Sequence, residues 1–204
     1  YFPRPPKSPD DAYLNDSLHR LAEKAFRRPV SEAVLAPYLE LPTKYLEESQ
    51  DFWASARYGI RAILTSPQFI YQVEDDDSRS LGPWELASRL SYFLWSSMPD
   101  DELFALAADG SITKPEILIQ QADRMLSDPK ADAFVKNFAG QWLQLRKLGD
   151  MPPDPATHKS YFEDQLENAM RQETLLFFSD LLTHNKRIIS IVDSDYTFLN
   201  PALA

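Results

Sequence analysis

The residues best suited to chemistry in this chain lie in a helix predicted over residues 162–184. Glu173, Asp180 and His184 are separated by seven and four residues, so they fall within or beside one face of that helix. The same face carries apolar side chains, among which an unpaired carboxylate is costly. Two carboxylates and an imidazole can bind a divalent metal or supply the acid and base of a hydrolase. An enzymatic site that includes Glu173 is therefore one hypothesis for this chain.

A structural role explains the same three residues, because their spacing matches no common metal-binding motif. In this alternative, Glu173 meets an Arg or a helix N-terminus of a neighbouring element. Asp180 and His184 then form an i,i+4 pair near the end of the helix. We expect this arrangement, assign no catalytic residue, and predict that the sequence is non-catalytic.

A second group of oxygen ligands follows near the end of the sequence. Asp193, Asp195 and Asn200 could surround a Ca²⁺ ion, but the segment lacks the Gly and Glu of an EF-hand loop. Asn200 is also well placed to cap a helix that begins at Pro201, and Asp193 to cap a local turn. We expect capping at these positions and predict no metal site.

Aromatic residues offer a third kind of site. Their rings could line a sugar-stacking or haem-facing surface, although aromatic residues at helical spacing more often form a core. A carbohydrate-binding module would require an exposed tryptophan in a groove. The residues concerned are Trp84, Tyr92, Trp95, Phe138 and Trp142.

Composition excludes several classes of function. The 204 residues include no cysteine, so disulfides, thiolate metal sites and covalent haem attachment are absent from this sequence. The net charge of −10 repels phosphate backbones and anionic lipids, and we expect no nucleic-acid partner. No apolar run approaches the roughly 18 residues of a membrane helix, so we expect no membrane span.

Helical periodicity and helix-end signals indicate an all-α protein, an irregular bundle of about eight helices. Pro29 should stop the first helix, and Pro37 should kink or end the second. An acidic linker at 75–80 separates a smaller N-terminal helical part, residues 1–74, from a larger C-terminal part, residues 81–204. The main helices are predicted over 14–28, 51–66, 83–97, 116–126, 129–148 and 162–184.

The most idiosyncratic stretch is LGPWELASRLSYFLWSSMPDDEL at residues 81–103. Together with FAGQWL at 138–143, ET at 173–174, FF at 177–178 and DYTFLN at 195–200, it resembles domain-of-unknown-function family 1592. Upstream, AFRRPV at 25–30 and YGIRAILTSPQF at 58–69 resemble the companion family 1595. The two resemblances cover about residues 80–204 and 12–70.

The resemblance implies a module of large exported proteins from planctomycetes and related bacteria, located in the periplasm or outside the cell. Such proteins often carry a c-type cytochrome domain elsewhere, so any haem would belong to another part of the polypeptide and no cofactor is expected here. The family provides no catalytic residues to carry over. We expect a fragment of a longer protein, a non-catalytic structural or interaction module whose partners are other domains of the same polypeptide.

Overall fold

The computed structural model describes residues 10–71 and 81–204, and within these ranges the chain forms helices and no strands. The predicted all-α fold is confirmed. No helix of the described ranges combines the length and apolar character that a membrane span requires. The α-helices are α1 Asp11–Phe26, α2 Glu32–Ser49, α3 Phe52–Leu64, α4 Pro67–Ile70, α5 Pro83–Trp95, α6 Asp101–Ala108, α7 Pro115–Leu126, α8 Asp132–Phe134, α9 Gly140–Trp142, α10 Lys159–Glu163, α11 Leu166–Thr183 and α12 Ser190–Asp193.

The described residues form two compact units. Unit 1 contains the described residues up to Ser91 together with Ser97–Ile117, and unit 2 contains Tyr92–Ser96 and Leu118–Ala204. The predicted linker at 75–80 lies outside the described residues, so the boundary drawn there stays a prediction.

Unit 1 is built on the mutual packing of α1, α2 and α3. Apolar residues three or four apart on α1 and α3 are buried between these helices, as amphipathic periodicity requires. Asp10 and Asp51 cap α1 and α3 by accepting hydrogen bonds from backbone N–H groups of the first turn. The innermost side chains are Leu14, Leu18, Ala22, Leu35, Ala56 and Ile63.

Helix α2 does not end at Pro37. It continues to Ser49 with both Pro37 and Pro42 inside it. A proline in a helix interior costs about 3 kcal/mol, since it removes one backbone hydrogen bond and clashes with the preceding turn. Leu35, Pro42 and Leu46 are buried in the unit, and this tertiary packing offsets the local cost.

Unit 2 contains an unusual helical turn. The chain from Asp132 to Trp142 stays helical, but Val135–Ala139 forms a π-helix between α8 and α9. Val135 and Ala139 are buried against Phe178 of α11. The extra residue in a π-turn changes the direction of the side chains that follow, and such turns are frequent at functional sites.

The helix predicted over 162–184 is divided in the structure. Gln165 adopts a left-handed backbone conformation, with φ of 51°, and separates α10 from α11. The candidate residues Glu173 and Asp180 lie on α11, and His184 directly follows its last residue.

Candidate functional site

Asp180 is the centre of a hydrogen-bonded cluster at the C-terminal end of α11. Its Oδ2 accepts hydrogen bonds from Lys186 Nζ at 2.7 Å and from Tyr196 Oη at 2.6 Å. Its Oδ1 lies 2.9 Å from His184 Nδ1. Lys186 Nζ also donates to Tyr196 Oη at 3.0 Å and lies over the Tyr196 ring. The Asp180 side chain is 14% exposed, whereas the side chains of Lys186 and His184 are 37% and 63% exposed. The carboxylate is therefore the most covered group of a cluster that lies at the protein surface.

These contacts favour the ionised carboxylate. Hydrogen bonds from Lys186 and then from Tyr196 hold the pKa of Asp180 below its ordinary value of 3.8. The hydrogen bonds of Lys186 to Asp180 and to Tyr196 raise the pKa of that ammonium above 10.5. A depressed carboxyl pKa suits a permanent anion in a structural cluster, whereas a general acid at neutral pH needs a raised pKa.

Glu173 lies two helical turns before Asp180 and also contacts the C-terminal segment. Thr197 Oγ1 donates to Glu173 Oε1 at 2.6 Å. The ring of Tyr196 packs against Phe177, with centroids 5.3 Å apart. Glu173 and Asp180 therefore both hold the segment around Tyr196 and Thr197 against α11.

The predicted i,i+4 pair of Asp180 and His184 is present. The expected Arg or helix N-terminus beside Glu173 is replaced by the Thr197 hydroxyl. Among residues 10–71 and 81–204, no group of three or more His, Cys, Asp or Glu side chains is arranged to hold a metal ion. The hypothesis of a catalytic site around Glu173 stays a prediction.

The proposed Ca²⁺ ligands Asp193, Asp195 and Asn200 occupy different local structures. Asp193 is the last residue of α12, and Asp195 lies at a bend in the segment that follows. Asn200 Oδ1 accepts from the backbone N–H of Leu203 at 3.0 Å. Asn200 therefore caps a turn at residues 201–203, where the sequence predicts the start of a helix.

The three candidate tryptophans have different environments. Trp95 is buried, with 4% of its surface exposed, and its Nε1 donates to the carbonyl of Met125 at 2.9 Å. Trp84 is partly buried and meets Phe104 edge-on. Trp142 is 52% exposed. Only Trp142 of the three therefore offers an open indole ring to a ligand.

Trp142 belongs to a groove in unit 2 with a volume of about 570 Å³. We call this feature the aromatic groove. Phe138 follows Phe134 with stacked rings 5.1 Å apart, and Trp142 continues the row at 5.8 Å from Phe138. Phe93 meets Phe134 edge-on at 5.1 Å. The lining residues are Tyr92, Phe93, Ser96, Phe134, Asn137, Phe138, Gln141 and Trp142.

Sequence reasoning found Tyr92, Phe138 and Trp142 but missed Phe93 and Phe134 in this groove. The spacing of 134, 138 and 142 is a helical i,i+4 signal, but such a row is equally typical of a core. Lys186 and Tyr196 were also missed as partners of Asp180. Tyr196 is 16 residues away from Asp180 in sequence, and no local pattern links them.

Comparison with known proteins places most of the chain in one family. The family model described as "PSD4: Protein of unknown function (DUF1592)" matches residues 81–204, more than half of the chain. The chain belongs to the DUF1592 family. Residues 13–74, upstream of that family region, match the model described as "PSD5: Protein of unknown function (DUF1595)". No curated protein and no solved structure is significantly similar to the chain.

Proposed function

We propose that this chain is a non-catalytic helical interaction module of a larger exported bacterial protein, and that it docks other domains of the same polypeptide. The observation that carries the proposal is a cluster of exposed apolar side chains in the C-terminal segment of unit 2. Ile188 is 73% exposed and Val192 is 84% exposed, with Ile189 beside them. Large apolar side chains left exposed together in one short segment are typical of protein–protein contact sites.

The segment is held in a defined position despite its exposure. Ile191 packs inward against the core around Phe178, so Ile188 and Val192 are left on the outer side. Downstream, Tyr196 and Thr197 bind Asp180 and Glu173. A fixed apolar surface loses little conformational entropy when a partner binds, which favours its use as a docking site.

The wider context of the proposal comes from the resemblance described above. In planctomycete-type proteins of this family, the neighbouring domains would include a c-type cytochrome, and the haem would be held there. The protein would be located in the periplasm or outside the cell. The net charge of −10 suits a partner domain with a basic surface. Immunoblotting of periplasmic and extracellular fractions tests the location.

The enzymatic alternative, with an acidic site near Glu173, receives less support from this geometry. Glu173 and Asp180 both accept hydrogen bonds from the C-terminal segment, so their oxygens serve a structural purpose. The depressed pKa of Asp180 also works against a role as a proton donor at neutral pH.

Titration calorimetry between the 204-residue chain and the remaining domains of its polypeptide tests the docking proposal. Val192→Asp places a charge in the apolar cluster and should weaken binding about tenfold or more. Ile119→Asp is the matched control, because Ile119 is 63% exposed on α7 in the same unit and lies outside the cluster.

Undiminished binding by Ile119→Asp together with a loss by Val192→Asp supports the proposal. Absence of binding by the unaltered chain overturns it, and so does equal loss in both variants. Circular dichroism of each variant shows whether the helices are intact.

A further inference from the structure

We propose that the aromatic groove of unit 2 is a binding site for a neutral polysaccharide. This inference goes beyond the docking role and uses different residues, since the exposed cluster at Ile188 and Val192 does not line the groove. The volume of about 570 Å³ lies within the range of small-ligand sites in proteins, about 300–1,000 Å³.

The rings of the groove are open to a ligand. Phe93 is 60% exposed, Phe138 is 42% exposed and Trp142 is 52% exposed. These three large side chains are exposed to solvent in the same groove, so the fold loses the stabilisation that their burial would provide. The C–H face of a pyranose ring packs against an aromatic ring while its hydroxyl groups remain available to water or to polar side chains.

Two local departures from regular backbone structure lie at the groove. Asn137 and Phe138 lie within the π-helix Val135–Ala139, and Trp142 lies in α9, which follows the π-helix directly. Ser96 follows α5 directly and also lines the groove. Its backbone is left-handed, with φ of 52°, although it is not a glycine. Strained backbone of this kind persists where the surrounding structure enforces it, and it is concentrated at functional sites.

Polar groups line the groove between the rings. Asn137 Nδ2 donates to Ser96 Oγ at 2.8 Å, and Arg146 donates to Asn137 Oδ1 at 3.2 Å. These bonds fix the orientation of the Asn137 amide and of the Ser96 hydroxyl. The side chain of Gln141 is exposed between Phe138 and Trp142, where its amide can both donate to and accept from sugar hydroxyl groups.

The combination of rings and uncharged amides selects the class of ligand. A neutral glycan presents apolar C–H faces together with hydroxyl groups. In the groove, the aromatic rings can pack against the C–H faces, and the amides can form hydrogen bonds with the hydroxyl groups. Among the described residues, no carboxylate or ammonium group lines the groove, and the guanidinium of Arg146 is bound to the Asn137 amide. The net charge of −10 disfavours polyanionic glycans and nucleic acids through long-range repulsion. A purely apolar partner would leave the Gln141 amide without a hydrogen bond.

Affinity electrophoresis in native gels tests the proposal directly. The acidic 204-residue chain migrates towards the anode, and gels containing hydroxyethylcellulose, arabinoxylan or galactomannan should retard it. A gel containing polygalacturonate should not. Trp142→Ala should weaken the interaction with the retarding polysaccharide about tenfold or more, because it removes the largest exposed ring of the groove.

Trp53→Ala is the matched control for Trp142→Ala. Trp53 is 51% exposed, nearly the same as Trp142, and it lies on α3 of unit 1. It should leave the retardation unchanged. Gln141→Leu keeps the apolar lining and removes the amide, so it should weaken polysaccharide binding by about three- to tenfold.

Retardation by at least one neutral polysaccharide that is lost in Trp142→Ala and kept in Trp53→Ala supports the proposal. Absence of retardation across the three polysaccharides overturns it. So does equal loss in the two tryptophan variants, or strengthened binding in Gln141→Leu. If Trp142→Ala instead abolishes binding to the remaining domains of the polypeptide, the groove is a protein interface and the proposal fails.

Discussion

Tyr196 Oη donates a 2.6 Å hydrogen bond to Asp180 Oδ2 across 16 residues of sequence. The same carboxylate oxygen accepts from Lys186, so one side chain of α11 fastens both the turn after the helix and the extended segment beyond it. The exposed apolar cluster lies between these two attachment points in sequence. The position of the proposed docking surface therefore depends on Asp180.

Tyr196→Phe should loosen the C-terminal segment while leaving the core of unit 2 intact. The loss of one hydrogen bond to a partly exposed carboxylate should lower the free energy of unfolding only slightly, because water can replace the lost partner. Faster amide hydrogen exchange at residues 194–199 should accompany the loss. Tyr161→Phe is the control, because the Tyr161 hydroxyl makes no hydrogen bond within the described residues. An equal change in both variants contradicts the role of Tyr196.

The Asp180 cluster should make stability depend on pH. Because the pKa of Asp180 is lowered in the folded state, its contribution is present above about 3.8 and is lost as the pH falls below that value. Because the pKa of Lys186 is raised, its contribution is present below about 10.5 and is lost as the pH rises through the higher folded value.

Carbon-13 NMR titration of the Asp180 carboxyl group measures this directly. In Tyr196→Phe the pKa of Asp180 should move up towards 3.8, and in Lys186→Met it should move further, since Lys186 is the larger cause of the shift. The opposite order, or an Asp180 pKa above 3.8 in the unaltered chain, contradicts the structural assignment.

Trp95 should be the tryptophan on which unit 2 depends most. Its indole is buried, bonds to the carbonyl of Met125, and lies beneath the ammonium group of Lys130 at 4.4 Å. Trp95→Phe should lower the free energy of unfolding by about 1–3 kcal/mol through the lost hydrogen bond and cation–π contact. Urea denaturation provides the measurement. Trp53→Phe, at an exposed position, should change it by less than about 0.5 kcal/mol.

Gly59 should be required for close packing of α1 on α3. A Cβ atom at this position would collide with Cδ1 of Leu18, which is itself fully buried. Gly59→Ala should therefore destabilise unit 1 by about 1–3 kcal/mol, despite the better helix propensity of alanine. Thermal unfolding measures the effect.

Gly140 is the control for Gly59 in the thermal unfolding measurement, because it has room for a side chain. A Cβ atom there meets nothing within 4 Å, so Gly140→Ala should stabilise the chain by about 0.5–1 kcal/mol. A stabilising effect of Gly59→Ala, or equal destabilisation by both changes, would show that the two glycines are not distinguished by packing.

Some helix ends could be predicted because the interactions that set them are local. Asp51 and Asp100 each cap a helix by binding a backbone N–H three residues ahead, and their side chains can reach it in any tertiary context. Pro37 shows the limit of such rules. Its local cost predicts a kink or a stop. The stop is absent, because burial of α2 against its neighbours keeps the helix continuous to Ser49.

The candidate site was predictable only in part. The pairing of Asp180 with His184 follows from a separation of one helical turn, and the cap at Asn200 follows from its place before Pro201. The partners Thr197 and Tyr196 are separated from α11 by a turn and an extended segment. Their position depends on how that segment folds back, which periodicity does not encode.

By itself, the sequence determined the all-α class, several helix ends and the family, because these depend on residue types a few positions apart or on a long characteristic string. Only the tertiary structure decided that Trp95 is buried while Trp142 is open, although both are tryptophans of helical segments. Burial depends on which residues the rest of unit 2 brings against each ring. The same long-range packing brings Phe93 beside Phe134 and creates the aromatic groove.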